Sequence, residues 1–516
     1  MNELNSNLGG NSLSENDIRK NKLQLLVDAG INPFAEKYNR TSSIDDIQEL
    51  PDTTSMNEAR NSENDLIQIG GRLMNFRSHG KLSFAKLKDV TGEIQLAFTK
   101  GDIVIDKGNG DIVNELNIGG ENIDAYKFLQ KYIDIGDIIG VNGNLFYTQK
   151  GEKTLFVKEI MLLTKTINSL PEKHHGLQDT EERFRKRYLD ILLNSESKEL
   201  IERRSLYFKA IRDFLNQKGF MEVDTPILET TTGGADAAPF KTHHNAYDMD
   251  TYLRISAGEL WQKRLMVAGF EKIYELGRVF RNEGVSTEHA QDYNQVEVYW
   301  AYSDYKDMMN LVKEMYLSII DNVYKKREFD IRGFNVNFDT EWGEIDYTEI
   351  IKEKTGIDIF KSTDDEILVK INELGIKVDS NNRMRMIDYL WKSIRKTIPG
   401  PAFLINEPKF MSPLAKSDTI NPEITHRFHV IIAGSEVGNG YSELNDPIDQ
   451  EERFVEQQKL RDAGDDEAQM ADFDFVEALK YGMPPTVGFG VSERFFAFLE
   501  GKPIRECQTF PLMKPF

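Results

Sequence analysis

Apolar positions change their period along the chain. Between 18 and 29, Ile18, Leu23, Leu25, Leu26 and Val27 gather on one side of a helical wheel, and Gly30 stands where a helix-ending glycine would. Asn32 and Pro33 then break the pattern. From about 66 to 165 the period falls towards two, as in strands. Residues 67–74 alternate, 82–87 and 93–98 follow across an Asp-Val-Thr-Gly turn at 89–92, and 136–143 and 145–158 are more strand and turn. Short strands at this density predict a small closed barrel. The Gly-, Asn- and Asp-rich stretch 102–122 reads as a loop inserted between them. From 197 to 516 helical and strand patterns mix without a βαβ rhythm. This predicts an antiparallel sheet with helices on one side, an α+β domain, in which the polar, helix-rich stretch at about 340–395 reads as an insertion. The organisation expected is a flexible tail (1–16), an N-terminal helical segment (17–65), the barrel (66–165), a linker (166–196) and the large domain (197–516).

Composition narrows the class. Among 516 residues, hydrophobic types make up 40% and aromatics 10%, which excludes a disordered chain, a collagen or a coiled-coil rod. The one cysteine, Cys507, can form neither an internal disulfide nor a Cys-based zinc site, so no oxidising compartment is implied. No apolar run approaches membrane-spanning length, and residues 1–16 read as a solvated tail rather than a signal peptide, so a cytoplasmic protein with no membrane partner is expected. With 64 Lys and Arg against 85 Asp and Glu the net charge is −21, so any nucleic acid must be bound through a local basic patch. One basic cluster, Arg-Phe-Arg-Lys-Arg at 183–187, is either a solvated helix face or an RNA-contacting linker.

The first chemical signal is a hairpin. In the alternating run 273–283, Arg281 and Glu283 share a face. After a polar loop, Gln295, Glu297 and Tyr299 share one face, and Val296, Val298 and Trp300 take the other. Charges crowded on a sheet face inside a large domain need partners. The face is therefore either salt-bridged and exposed or the floor of a site for a charged ligand.

The run Phe-Arg-Asn-Glu-Gly at 280–284, with its hairpin, resembles motif 2 of the class II aminoacyl-tRNA synthetases. Residues 206–226, ending Gly-Phe-Met-Glu-Val-Asp-Thr-Pro, are similar to motif 1, and Gly-Phe-Gly-Val-Ser-Glu-Arg at 488–494 to motif 3. Within the class, the segments at 170–179, 233–240, 242–245, 411–416 and 438–446 resemble the lysyl-tRNA synthetase family, which has an N-terminal OB-fold for the anticodon. The resemblance implies that ATP activates L-lysine to lysyl-adenylate and that lysine then passes to the 3′ end of tRNA(Lys). It also implies a homodimer joined through motif 1.

Site roles follow from the same resemblance. Arg281 and Arg494 are the catalytic residues. Arg281 grips the junction of substrate carboxylate and α-phosphate, where a planar fork suits paired oxygens. Glu283 holds the adenine amino group, Tyr293 stacks on adenine, His289 approaches the phosphates, and Arg494 lies against adenine and the γ-phosphate. Arg494 carries an independent argument. A cation in the first turn of a helix opposes the dipole at a cost of about 0.3–1 kcal/mol, which suggests a nearby anion. The helix itself is expected to begin near Ser492, with Ser492 as its cap. Glu436 is at the metal position for Mg2+, with Asn439 beside it. Ideal alternation puts Asn439, Tyr441 and Glu443 on one face and Glu436 out of phase, so a bulge near Gly438 or Gly440 is expected. For lysine, Glu259 and Gly234 meet the α-amine, Glu443 and Tyr299 the ε-ammonium, and Glu297 completes the acidic pocket. In the barrel, Arg77, Phe84 and Gln95, with Gly80 and Lys81, match the anticodon-binding pattern: Phe84 stacks a base and Gln95 reads uridine.

The chain also departs from the family. His429 stands where a second metal carboxylate is usual, and imidazole is a poor magnesium ligand. Ala290 replaces an asparagine. Motif 3 is one residue short, with Glu493 in place of its aspartate, and the segment 256–259 is one residue long. These two length changes are expected to compensate across the lysine pocket. Two alternatives stand beside the synthetase: a lysine ligase acting on a protein acceptor, and a non-catalytic tRNA-binding synthetase-like protein. The barrel argues against the first. Arg281, Glu283, Glu436 and Arg494 together argue against the second.

Overall fold

The computed structural model describes residues 14–49, 55–62, 66–171, 177, 179–235, 237–284, 286–378, 382–462 and 469–515. Residues 1–13 of the expected tail lie outside the described residues. The chain forms two compact units, 1–177 and 178–516.

In the first unit, helix α1 (Glu15–Asp28) starts three residues before the apolar stripe, because the Ser14 side chain accepts the Asp17 N–H. The barrel is built from β1 (Ile67–His79), β2 (Leu82–Lys88), β3 (Glu93–Thr99), β4 (Ile138–Tyr147) and β5 (Lys153–Thr164). They run in the order β3-β2-β1-β4-β5, and β3 pairs in parallel with β5 to close it. Ala85, Leu87, Ile94, Leu96 and Phe98 point inward. Phe84 and Ala97 take the outer face and pack in a separate small cluster.

The stretch 102–122 is not the loop expected. It forms short paired strands, including the hairpin Glu115–Ile118 with Glu121–Asp124, before helix α2 (Ala125–Tyr132). Leu116, Ile118 and Ile123 join the barrel core. A period-two pattern was present there, but its Gly and Asn content masked it.

The described part of the linker is helical, at Thr180–Arg185 and Arg187–Leu193. Its basic cluster is already paired. Arg183 and Arg187 hold Asp190 at 2.8 and 2.7 Å, Arg185 holds Glu181 at 2.6 Å, and Lys186 holds Glu182 at 2.8 Å. Arg187 is buried, which leaves little to offer RNA.

The second unit is built on an eight-stranded sheet. Its parts in chain order are helix α3 (Ser195–Gln217), strand β6 (Met221–Glu222), helix α4 (Glu259–Val267), strands β7 (Lys272–Phe280) and β8 (Asp292–Ala301), and helix α5 (Tyr305–Val323). Next come strand β9 (Gly343–Asp346) and helices α6 (Tyr347–Thr355), α7 (Asp364–Glu373) and α8 (Arg383–Arg395). Strands β10 (Ala402–Ile405), β11 (Arg427–Ile432), β12 (Ser435–Ser442) and β13 (Thr486–Ser492) and helix α9 (Arg494–Glu500) complete it. The strand order is β6-β7-β8-β13-β12-β11-β10-β9, antiparallel except at the two edges, where β6–β7 and β9–β10 are parallel.

One face buries Val296, Val298, Val487, Phe489 and Val491 under α3, α5 and α9. Helices do not keep to that face alone, contrary to the expectation of helices on one side. Leu260 and Met266 of α4, with Phe454 and Phe475, cover Ile273, Tyr299 and Tyr441 on the other. The remainder of that second face is a cavity. The stretch 340–395 is built into the core, since β9 extends the sheet and α6 to α8 pack on Leu404 and Ile431.

Candidate active site

The floor of the cavity comes from register. Across β8, β13 and β12, Glu297 lies opposite Gly490 and Gly490 opposite Asn439; in the next row Tyr299 lies opposite Gly488 and Gly488 opposite Tyr441. The middle strand carries glycine because the flanking side chains lean across it. A Cβ on Gly490 would stand 2.8 Å from Glu297 Oε1, and one on Gly488 would collide with the Glu443 carboxylate and the Tyr299 ring. Gly234, at φ +87°, is similarly tight: a Cβ there would meet Glu259 Oε2 at 2.6 Å.

The cavity has a volume of about 590 Å³, and every residue assigned from sequence to ATP or lysine lines it. Gly234, Glu259, Glu297, Tyr299 and Glu443 gather at one end; Arg281, Glu283, His289, Tyr293, Glu436, Asn439 and Arg494 complete the wall. Both segments of altered length, 256–259 and 488–494, border this space through Glu259, Gly488, Gly490, Ser492 and Arg494. Strand β7 ends at Phe280, so Arg281 and Glu283 sit on the loop beyond it rather than on the strand. The expected bulge is present one residue early: β11 and β12 pair Val430 with Gly438 but Ile431 with Glu436, so Val437 is the extra residue. That shift brings Glu436 to the same wall as Asn439 and Glu443.

The acidic end carries a residue that the sequence reading missed. Lys263 on α4 is buried, with Nζ 2.8 Å from Glu259 Oε1 and 2.7 Å from Glu443 Oε2. The Tyr441 hydroxyl also donates to Glu259, and Gln295 donates to Glu297 at 2.6 Å. The i,i+4 spacing of Glu259 and Lys263 was a usable signal for the first ion pair; nothing local signalled the second. Two carboxylates thus share one ammonium, and Glu297 stands beside them without an ion-pair partner of its own among the described residues. Burial pushes the Glu443 carboxyl up to about 8 despite Lys263, with Glu259 adding to the rise. Burial, then Glu259, raises Glu297 as well. This end of the cavity is short of cations.

The opposite end is rich in them. Arg281 Nε donates to the Ile255 carbonyl at 3.2 Å, and its guanidinium lies 5.7 Å from the centre of the Tyr293 ring. Arg494 opens α9, where Glu493 is the N-cap and makes no side-chain cap. Ser492 belongs to β13 rather than to the helix, although its hydroxyl accepts the Arg494 N–H at 3.3 Å. Glu493 is buried and bound by Arg204 and Gln508, so this acid braces the fold behind Arg494. Arg494 reaches His289 Nε2 at 3.3 Å, while Ser286 holds the other ring nitrogen at 2.7 Å. Burial, then the Arg494 charge, lowers the His289 pKa.

Glu436 is enclosed by donors. Its Oε1 accepts from Trp391 Nε1 at 2.6 Å and faces Arg395 at 2.9 Å, with His429 3.7 Å from Oε2. Burial would raise its pKa, but His429 and Arg395 outweigh burial and hold it near 2. Asn439 accepts from Arg427 at 2.9 Å, and Glu407 is taken by His429 at 2.9 Å and Arg427 at 3.1 Å. Among the described residues no group of three or more His, Cys, Asp or Glu is arranged to hold a metal. This donor set does not fit an ion held by the protein alone. One carboxylate, Glu436, fits an ion that arrives on phosphates. Trp391 and Arg395 carry no local signal of this role, because they belong to a polar helix whose sequence pattern does not show the cavity it faces.

In the barrel, Arg77 and Phe84 are directly opposed across β1 and β2, and Gln95 follows on β3, two residues from Ala97, the partner of Phe84. Arg77 is exposed, Phe84 half-buried, and Gln95 donates to Thr154 Oγ1 at 3.0 Å. Gly80, at φ +66°, and Lys81 form the exposed tip between β1 and β2. Phe84 lies outside the barrel core.

Residues 179–514 match the family described as tRNA synthetases class II (D, K and N), and residues 67–163 match the OB-fold nucleic acid binding domain. The chain is 42% identical to the lysine--tRNA ligase of Thermotoga maritima over 499 residues, covering 96% of this chain and 95% of that one. It is 42% identical over 508 residues to the lysine--tRNA ligase of Carboxydothermus hydrogenoformans, covering 96% and 97%. It is 39% identical over 503 residues to that of Staphylococcus haemolyticus, covering 96% and 98%.

Proposed function

The chain belongs to the class II tRNA synthetases of the D, K and N group and carries an OB-fold, and from that membership we propose a lysine--tRNA ligase that uses ATP to join L-lysine to tRNA(Lys). The observation that carries the choice of lysine is the acidic end of the cavity, where Glu259, Glu297 and Glu443 face a space bordered by Tyr299 and Tyr441. With all three ionised and Lys263 charged, two negative charges remain, which matches the two ammonium groups of lysine. An uncharged side chain would leave buried carboxylates without partners, and an acidic one would be repelled.

In this reading Glu259, beside Gly234, takes the α-amine, while Glu443 and Tyr299 take the ε-ammonium. Arg281 then draws the substrate carboxylate and the α-phosphate together, so that a carboxylate oxygen attacks phosphorus as pyrophosphate leaves. Catalysis of this kind is mostly positioning and electrostatic stabilisation. Tyr293 and Glu283 hold the adenine, and His289, Asn439 and Arg494 line the phosphate side. Glu436 would be the chain's carboxylate towards a Mg2+ carried by ATP, and that ion would supply charge neutralisation at the phosphates.

Phe84, Gln95 and Arg77 read the anticodon on the outer face of the barrel. The polypeptide pairs with a second copy through 206–228, where Leu206, Met221, Ile227 and Leu228 are exposed apolar side chains on a single chain. Among the described residues no helix is long and apolar enough to cross a membrane. We place the protein with the translation machinery in the cytoplasm.

The test is ATP–pyrophosphate exchange with each amino acid, followed by charging of purified tRNA(Lys). Exchange that depends on lysine, and lysyl-tRNA formation, are expected. Absence of exchange with any amino acid would sink the proposal.

A further inference from the structure

We propose that α8 is part of the triphosphate site, with Arg395, anchored on Glu436, supplying fixed positive charge where a protein-held divalent ion would otherwise be needed. The inference rests on the reading of the cavity as an ATP site.

Helix α8 buries Met386, Ile387, Leu390 and Ile394, and turns Asp388, Trp391, Lys392 and Arg395 towards the same cavity as Arg281 and Arg494. The spacing of 388, 391, 392 and 395 is one helical stripe, so a single element presents all four. Lys392 is paired with Asp388 at 2.6 Å. Arg395 is different. One of its nitrogens lies 2.9 Å from Glu436, and 19% of its side-chain surface stays open at the cavity wall, as does 24% of that of Arg494. Two partly open guanidinium groups bordering one cavity suit an anionic ligand that arrives from solution.

The acids on this wall do not compete for that role. Glu436 is held by Trp391 and Arg395, and Glu407 by His429 and Arg427. A carboxylate so occupied is a weak inducement for a second divalent ion, whereas a guanidinium fork suits phosphate oxygens directly. ATP therefore binds with the ion that it carries and needs no further one.

The experiment uses the full chain. Mn2+ bound per active site is counted by electron paramagnetic resonance with α,β-methylene-ATP, and the Kd of the same analogue is measured with Mg2+ and with EDTA. One Mn2+ per site is expected, with Kd in EDTA raised less than about tenfold. Arg395→Ala is expected to raise Kd in EDTA at least tenfold and to shift half-saturation to higher Mg2+. Arg395→Lys should restore most of the loss, and lysine binding, measured separately, should be unchanged in both.

Two or more Mn2+ per site on the unaltered chain would overturn the proposal even if a variant fails to fold. So would an unchanged Kd in R395A that still binds lysine. Failure of the unaltered chain to bind the analogue under either condition would overturn it together with the ATP reading.

Discussion

Gly488 and Gly490 are glycines because carboxylates lean over them. Gly488→Ala should therefore push Glu443 and Tyr299 out of place, raising KM for lysine at least tenfold while KM for ATP changes less than threefold. Steady-state exchange kinetics with each substrate varied decide this, and equal effects on both would contradict it. A second expectation concerns pH. In the empty pocket Glu443 holds its proton up to about 8, and the ε-ammonium of lysine favours the carboxylate, so binding releases that proton. Lysine affinity should fall as pH drops from about 8 towards 6.5, by up to about tenfold per unit for each proton released. Calorimetry in buffers of different ionisation enthalpy reads the release directly, and a flat pH profile with no release would refute it.

At the scale of elements, the short helix α9 owes its position to what lies beneath it. Glu493 is buried between Arg204 of α3 and Gln508, immediately before the residue that lines the cavity. Removing one partner of a buried ion pair commonly costs about 3–5 kcal/mol. Glu493→Ala is expected to lower the urea midpoint of the catalytic unit by an amount of that order and to lower ATP affinity in the fraction that stays folded. Denaturation curves with and without ATP check both, and an unchanged midpoint would show that Arg204 finds another partner. The bulge at Val437 works in the same way. It is an interruption of the β11–β12 ladder whose effect is to turn Glu436 towards the cavity.

At the scale of the whole molecule, the proposed function assigns recognition of the anticodon to one unit and chemistry to the other. Base–aromatic stacking is worth roughly 1–3 kcal/mol, so Phe84→Ala should lower kcat/KM for tRNA charging by about 5- to 150-fold. Lysine-dependent pyrophosphate exchange should be unaffected, since Phe84 lies on the outer face of the barrel and not in the cavity. Comparable losses in both assays would show that the substitution harms the fold. The exposed apolar side chains at 206–228 predict a dimer. Ile227→Asp should shift the protein to monomers in sedimentation velocity, and an unaltered sedimentation coefficient would place the interface elsewhere.

The local patterns along the chain were enough to predict a barrel, an α+β unit and the residues that carry charge. Period-two alternation and turn residues are local properties, and so are β1 to β3 and the hairpin of β7 and β8. The family resemblance then picked out Glu259, Glu297 and Glu443 from segments far apart in the chain. The structure alone decided that they line one cavity and that Glu259 and Glu443 meet over Lys263, because a contact such as that of Lys263 with Glu443 depends on how α4 packs against the sheet. The roles of Trp391 and Arg395 were equally invisible, since a polar helix in an apparent insertion carries no mark of the cavity it faces. Periodicity reports which side of an element is apolar. Which buried charges become neighbours is settled only when the elements pack, because charge pairing depends on distance in space and not on separation along the chain.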